Sequence, residues 1–455
     1  MAFRTEGSAS WVMCREFQNC DGVSLLACFT RAVSDHIHTV VGGNAKAAVS
    51  LDELFEFIPL DGGDAPVWLG IAIPSRHLTS LPGFPEAALP QSGRVASGRG
   101  FTSALARASA LGEAAELVSC CAWGDEALIV ATADELGPAA LLPEALNGFS
   151  DWQIAQRHDW NRRYGEYDWR PMPCGPTTPI AWLEVEDAFV GTQAYVPADF
   201  AFVGRKEAGN ENAVAIGDSN GCAAGPTIET AKLAAILELV ERDATGQWWY
   251  RGQGRAPIVL TSLKIETGLV SWLQGRQRRS WLYDITNDIG VPVFAAVSAE
   301  EGGRDVVLGF AARVESHAAA IAALSEMLQM EVSLKAARAM GEAAGNWTQW
   351  RAQVSLATPP LDGKSKLAPS QIEASRLPEA SSQLAVALEA CARNGIDLHF
   401  CDMTRSAIGI PVVRAMSAAL CHYKPRFNRT RLLAGTPNNI VPIARGNTNQ
   451  IPLLI

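Results

Sequence analysis

Acidic residues recur three apart at three places in this sequence: Glu113 and Glu116, Glu238 and Glu241, and, with an amide in second place, Glu326 and Gln329. Residues three apart on a helix point the same way, so each pair offers two oxygen donors to one side. Arg242 directly follows the second pair. Acids set into apolar, alanine-rich segments are costly unless something neutralises them. If the pairs meet in one cleft, five carboxylates and an amide repel one another unless cations intervene, and hard oxygen donors of this kind select Mg²⁺ or Ca²⁺. Magnesium keeps waters and binds a few carboxylates together with substrate phosphates, which suits a nucleoside triphosphate. Arg242, with Arg99 and Arg414, is then expected to pair with phosphate oxygens. No GxxxxGK[ST] stretch is present, so the site is not a P-loop.

The elements that must position these groups share one build. Ser97-Gly-Arg-Gly100 leads into an alanine-rich segment that closes on Glu113 and Glu116. The glycine-punctuated loop from Gly217 to Gly225 runs into a helical segment carrying Glu238, Glu241 and Arg242 near its end, by Ala244. A third helix follows Gly309 and carries Glu326 and Gln329. Strand candidates are Val67–Ile73, Ala127–Ala131, Ile180–Val185 and Thr192–Val196. The stretches Trp281–Ala296 and Cys401–Ala415 repeat each other: an Asp-x-Thr turn, then Gly-hydrophobic-Pro-Val and a strand. The expectation is a mixed α/β (α+β) fold of internally repeated strand–helix units, three helices converging on one nucleotide cleft.

Length and composition bound what the cleft belongs to. The chain has 455 residues, 48% hydrophobic and 19% charged, enough for one large or two ordinary folded domains. Its formal charge of -10 argues against broad nucleic-acid binding by phosphate neutralisation. The start of the sequence has no basic region followed by an apolar core, and no later segment is long and apolar enough to span a bilayer, so the protein reads as cytoplasmic. Ten cysteines without a CxxC pair fit that compartment as reduced, small hydrophobes.

Elsewhere the sequence carries little chemistry. Residues 1–82 mix a helical pattern from Val23 to Val41 with one strand and read as an N-terminal subdomain or docking region, with residues 83–455 as the main domain. The Trp- and Arg-rich connection through Trp152, Trp160 and Trp169 reads as an amphipathic surface, and Pro359–Pro369 as a surface loop. The seven histidines lack metal-ligand spacing. His317 reads as a capping or solvated residue, and His422, before Tyr423-Lys-Pro-Arg, is the one histidine of interest.

Ser97-Gly-Arg-Gly leading to Ser109-Ala-Leu-Gly-Glu-Ala-Ala-Glu116, Ser219-Asn-Gly-Cys-Ala-Ala-Gly225 leading to Glu238-Leu-Val-Glu-Arg-Asp-Ala244, then Glu326-Met-Leu-Gln329, resemble the YcaO family. Asp402-Met-Thr404 and Pro411-Val-Val-Arg414 add to the match, which runs from about Pro82 to Arg431. The resemblance implies an ATP- and Mg²⁺-dependent enzyme acting on the backbone of a ribosomally made peptide. In the family's usual chemistry a Cys, Ser or Thr side chain attacks the preceding amide carbonyl, the oxyanion takes the γ-phosphoryl group, and phosphate leaves to give an azoline. Thioamide or amidine formation, and a non-catalytic peptide-binding scaffold, are the alternatives.

Residue by residue, the resemblance implies Mg²⁺ ligation by Glu113, Glu116 and Glu238, with Glu241 or Glu326 a further ligand. It implies phosphate contacts from Arg242 and Ser109 and nucleotide or phosphate contacts from Asn220 and Gln329. Glu238 and Arg242 carry the catalytic expectation. Arg99 stands where the family often has Lys. Two departures stand out: Leu117 follows Glu116 where the family commonly has Arg, and the residues from Asn449 to Ile455 hold one proline where azoline-forming members often alternate prolines. The implied partners are the precursor peptide, a leader-peptide-binding protein supplied in trans and, for azole products, a flavin-dependent dehydrogenase; a homodimer is left open.

Overall fold

Three antiparallel strands followed by a long helix occur twice in the chain. The computed structural model describes residues 50–91, 95–205, 212–252, 254–263, 265–339, 350–362, 382–432 and 451–454. In the first unit β1 (Phe55–Leu60), β2 (Trp68–Pro74) and β3 (Ala96–Gly100) form a sheet in that order, and α1 (Ser103–Ser119) packs on it. In the second, β8 (Arg279–Asp284), β9 (Val293–Ala299) and β10 (Val307–Ala312) form the sheet, with α3 (Ser316–Ala339) upon it. The helix reaches the backbone of its sheet the same way in both. A Cβ on Gly98 would overlap the Ala110 nitrogen and Ala106 carbonyl of α1, and one on Gly309 the Met327 nitrogen and Ala323 carbonyl of α3. Only glycine on the third strand permits that approach.

A third sheet takes four strands from the sequence between these units and two from the sequence after the second. β4 (Leu128–Ala131), β5 (Ile180–Asp187), β11 (His399–Asp402), β12 (Val412–Met416) and β7 (Cys222–Ala224) follow one another in hydrogen-bonded order, and β6 (Gln193–Pro197) pairs with β5. β7 leads into α2 (Ile228–Arg251), which starts at a Thr227–Thr230 capping box and stops at Gly252, held at a φ of 62°. α4 (Gln383–Arg393) packs against α2.

The core explains why β9 and β10 read as continuous apolar runs rather than alternating ones. One set of their residues, Val293, Ala295, Val297 and Phe310, packs with Val240, Trp248 and Trp249 of α2. The other set, Phe294, Ala296, Val307 and Ala311, packs with Ala320, Ala323, Leu324 and Met327 of α3. Both faces are covered, and every residue of the two strands is buried.

The repeated Asp-x-Thr turns have the same hydrogen bonds. The Thr286 amide donates to Asp284 Oδ1 at 2.9 Å and the Val293 amide to Thr286 Oγ1 at 3.0 Å. Thr404 and Val412 repeat this on Asp402 and Thr404, at 2.9 and 3.1 Å. Each turn thereby ties the end of one strand to the start of its neighbour.

Two helix boundaries differ from the sequence expectation. α2 continues past Arg242 to Arg251 and α3 past Gln329 to Ala339, so their polar groups form mid-helix stripes rather than helix ends. Trp248, Trp249 and Tyr250, all buried, give α2 an apolar continuation on which to pack. The helical pattern from Val23 to Val41, Cys14, Cys20, Cys28 and most of the loop before Pro369 lie outside the described residues. The seven described cysteines are in no disulfide, and among the described residues no helix is long and apolar enough to cross a membrane.

Candidate functional site

The two glutamate pairs and the Glu326–Gln329 pair come together. Arg99, on β3, reaches α3: its Nη1 donates to Gln329 Oε1 at 2.7 Å and its Nη2 to Glu326 Oε2 at 3.0 Å. Gln329 returns a bond from Nε2 to Ser97 Oγ at 2.6 Å. β3 and α3 are thus stitched by one arginine, one amide and one hydroxyl. Glu113, on α1, takes a hydrogen bond from the Ser97 amide and feels both Arg99 and Glu326. Enclosure by the surrounding protein pushes the Glu113 carboxyl up to about 7, against the pull of the Ser97 amide and Arg99. It is also the most open of the cluster, so water moderates that push.

The deeper half belongs to α2. Arg242 lies between Glu238, 3.4 Å from Nη2, and Glu241, 3.5 Å from Nη1, and its guanidinium carbon stands 5.0 Å from the Tyr423 ring centre. Burial presses Glu238 up to about 7 against the attraction of Arg242, with Glu241 adding repulsion. Glu241 is likewise raised by burial, opposed by Arg242 and reinforced by Glu326, and its Oε2 accepts the Ala312 amide at 3.3 Å. Glu116 is raised well above the usual carboxylate range, first by burial and then by repulsion from Glu238. These mutual influences make Glu113, Glu116, Glu238, Glu241 and Glu326 one electrostatically coupled cluster.

The loop before β7 forms one side of it. Asp218, a neighbour of Glu238, accepts from His422 Nε2 at 2.9 Å and from the Asn220 amide at 3.1 Å, with Lys424 Nζ at 3.8 Å and Arg414 Nη2 at 3.7 Å. Although burial opposes it, His422, Lys424 and Arg414 hold Asp218 well below the usual carboxylate range. His422 Nδ1 accepts the Lys424 amide at 2.9 Å, which leaves Nε2 as the protonated nitrogen facing Asp218. Burial depresses His422 to about 4, so both ring nitrogens are committed to a neutral, structural role.

Of the phosphate-contact candidates, Arg99, Arg242, Gln329 and Asn220 stand at the cluster or its loop, and Ser109 lies one turn before Glu113 on the same face of α1. Arg414 stands apart: it is 1% exposed, donates to the Ala201 carbonyl at 2.9 Å and lies 5.2 Å from the Phe200 ring centre, beneath the loop rather than on the cleft surface. Sequence reasoning did not single out Asp218 or Arg313. Asp218 lay in plain view inside the Gly217–Gly225 loop; Arg313 offered no spacing signal.

The donor set fits a divalent cation with a phosphate anion. Burial and mutual repulsion penalise the carboxylate charges, while Asn220 Oδ1 and Arg242 Nε and Nη1 are buried without a hydrogen-bond partner. Among the described residues no three carboxylate, imidazole or thiolate groups stand close enough to enclose an ion by themselves. Magnesium retains waters and takes one or two carboxylates together with phosphates. A separate cavity of about 550 Å³, between Pro138–Ala145 and the β5–β6 hairpin, shares no residue with the cluster. Its ionisable groups are Asp187, Asp397 and His399.

The chain is similar to proteins of known family and structure. A family model described as YcaO cyclodehydratase, ATP- and Mg²⁺-binding, matches residues 97–421. A solved heterocyclase in complex with substrate and cofactor is 27% identical, with a TM-score of 0.77, covering 93% of this chain and 57% of its own. The heterocyclase TruD is 30% identical, with a TM-score of 0.66, covering 77% of this chain and 50% of its own. YcaO from Methanopyrus kandleri, solved with AMPPCP and Mg²⁺, shares the fold at 19% identity and a TM-score of 0.54, covering 88% of this chain and 92% of its own. A curated relative, an uncharacterised protein in the tfuA 3' region of Rhizobium leguminosarum bv. trifolii, is 31% identical over 137 residues, 27% of this chain and 31% of the relative. The chain therefore spans about half the length of the two heterocyclases, and less than a third of the curated relative.

Proposed function

The chain belongs to the YcaO family, and from that premise we propose that it is an ATP- and Mg²⁺-dependent cyclodehydratase that converts Cys, Ser or Thr residues of a ribosomally made precursor peptide to azolines. The observation that carries the proposal is the meeting of five glutamates from three helices with Arg99 and Arg242 at one cleft. The likeness to two heterocyclases at 27% and 30% identity supports the same reaction class.

Glu113, Glu116 and Glu238, with Glu241 or Glu326, are the carboxylates from which Mg²⁺ would take one or two per ion together with phosphate oxygens and water, and the metal would supply neutralisation of phosphoryl charge. Arg242 and Arg99 would bind phosphate oxygens, exchanging carboxylate partners for phosphate ones. Ser109, Asn220 and Gln329 would orient the nucleotide, Gln329 from a position already fixed by Ser97. Arg414 would act from below, by holding the Asp218 loop. In the overall balance the amide oxygen leaves as phosphate, ATP becomes ADP, and the peptide loses one water per ring. The reaction would take place in the cytoplasm, with a leader-peptide-binding partner and, for azole products, a flavin-dependent dehydrogenase.

The test is peptide-stimulated ATP hydrolysis by the protein with its genomic partners and precursor peptide. We expect hydrolysis in the native protein, a loss of about 100-fold or more in Glu238→Gln, and a mass loss of one water per modified residue. Peptide binding with no ATP consumption would sink the enzymatic proposal. Exchange of oxygen for sulfur in the product would replace azoline by thioamide formation.

A further inference from the structure

Resting on the ATP site proposed above, we infer that Arg313 is a further phosphate-binding residue of the cleft. α1 contributes Glu113 and Glu116 to the cluster but no cation, since its single arginine, Arg107, pairs with Asp52 at the far side. Arg99 also holds Gln329 and Glu326, and Arg242 lies between Glu238 and Glu241. Two arginines thus face five glutamates, with an incoming triphosphate still to be accommodated.

Arg313 is the next cation in reach. It directly follows β10, whose last amide, that of Ala312, donates to Glu241 Oε2 at 3.3 Å. The Arg313 backbone is fixed by its amide, which donates to the Pro292 carbonyl at 3.1 Å, and its Nη1 donates to the Ala312 carbonyl at 2.7 Å. Glu241 and Glu326 attract the guanidinium and Arg99 repels it, so it stands among all three, yet among the described residues it forms no ion pair within 4.0 Å. A structural partner for Glu241 would close that pair, as Arg242 does. An arginine anchored by one donor beside a carboxylate cluster, with Nε and Nη2 uncommitted, has the arrangement of a ligand for an anion that arrives from outside.

The experiment compares binding of ATP, AMP and adenosine, each with Mg²⁺, and of Mn²⁺ alone, by calorimetry in the native chain, Arg313→Gln and Arg313→Lys. Thermal midpoints confirm that each variant is folded. The expected result is an ATP affinity lower by about tenfold or more in Arg313→Gln, a smaller effect on AMP, none on adenosine, and partial rescue by Arg313→Lys. Mn²⁺ alone should bind as well or more tightly, because a repelling charge has left the carboxylates. Equal losses for ATP and adenosine, or an unchanged ATP affinity, overturn the assignment while leaving the ATP site standing. A native chain that binds adenosine and ATP equally weakly overturns both.

Discussion

The Arg99 guanidinium stands 3.0 Å from the Glu326 carboxylate, 227 residues away in the chain, and closes one side of the cleft by joining β3 to α3. Both side chains keep about a quarter of their surface open, 25% and 22%, so the pair itself contributes only about 1 kcal/mol to stability. Its weight lies in position. Arg99→Ala should leave folding nearly unchanged and lower ATP affinity about tenfold or more. Arg99→Lys should recover the charge but not the two-pronged hold on Gln329 and Glu326. Calorimetric titration with ATP checks this, and native-like affinity in Arg99→Ala would exclude a phosphate role.

Protons should leave the site when metal and nucleotide enter. Glu238 is pushed up to about 7 and Glu116 is raised well above the usual carboxylate range, so near neutral pH the cluster carries protons that a divalent cation must displace. Binding heats at pH 7 in buffers of different ionisation enthalpy should reveal release of about one proton, fading above pH 9. A zero slope at pH 7 contradicts the elevated carboxyls.

The same shifts fix a stability trend. A carboxyl whose pKa rises on folding holds more protons folded than unfolded, so it loses stability as pH climbs from the usual carboxylate range through about 7. His422, depressed to about 4, works oppositely: its contribution is present above its unfolded value and lost as pH falls toward 4. The difference between native protein and Glu238→Gln cancels the histidine. The variant's thermal midpoint should therefore gain on the native one between pH 5 and pH 8 without metal; a constant difference would refute the shift at Glu238.

Gly98 and Gly309 should tolerate no side chain. An added methyl at either meets helix backbone, which cannot swing aside, so Gly98→Ala or Gly309→Ala should cost about 1–3 kcal/mol or more and displace the carboxylates of α1 or α3. Denaturant unfolding measures the first effect and ATP titration the second. An alanine variant as stable as the native chain would show that the sheets and helices have slack there.

Arg431 should prove structural rather than catalytic. Asp243 on α2 is 0% exposed and accepts from Arg431 Nε at 3.0 Å and Nη2 at 2.8 Å, besides the Cys421 amide at 2.8 Å. Removing the arginine strands a buried carboxylate, so Arg431→Ala should lose about 3–5 kcal/mol. Arg431→Ala combined with Asp243→Asn should recover part of it. A double variant as unstable as the single one would place the cost elsewhere.

How much of this was legible before the fold rested on locality. Helical spacing alone aims Glu113 with Glu116 and Glu238 with Glu241, so those pairs could be read from the sequence. The matching turns at Asp284 and Asp402 were equally local, each spanning only a few residues. Arg313 was not legible, since its place beside Glu241 arises from β10 ending against α2. Nor was the burial of Arg414, which depends on Phe200 and Ala201 covering it from a distant part of the chain. The lengths of α2 and α3 were underestimated because the polar stripes looked like helix ends, whereas packing beyond them carried both helices on.

The hydrogen bond from Arg99 to Gln329 spans 230 residues of chain, and this separation sets an order of events during synthesis. The first sheet and α1 can pair locally once they leave the ribosome, but they must wait for α3. At roughly 5–20 residues per second that delay is on the order of 10–50 s. Through that interval Glu113 lacks Arg99's later partners, and the nascent chain holds only one wall of its cleft. On the proposed function, nucleotide capture would be a late event in the chain's synthesis, since the second wall of the site is absent until α3 has been made.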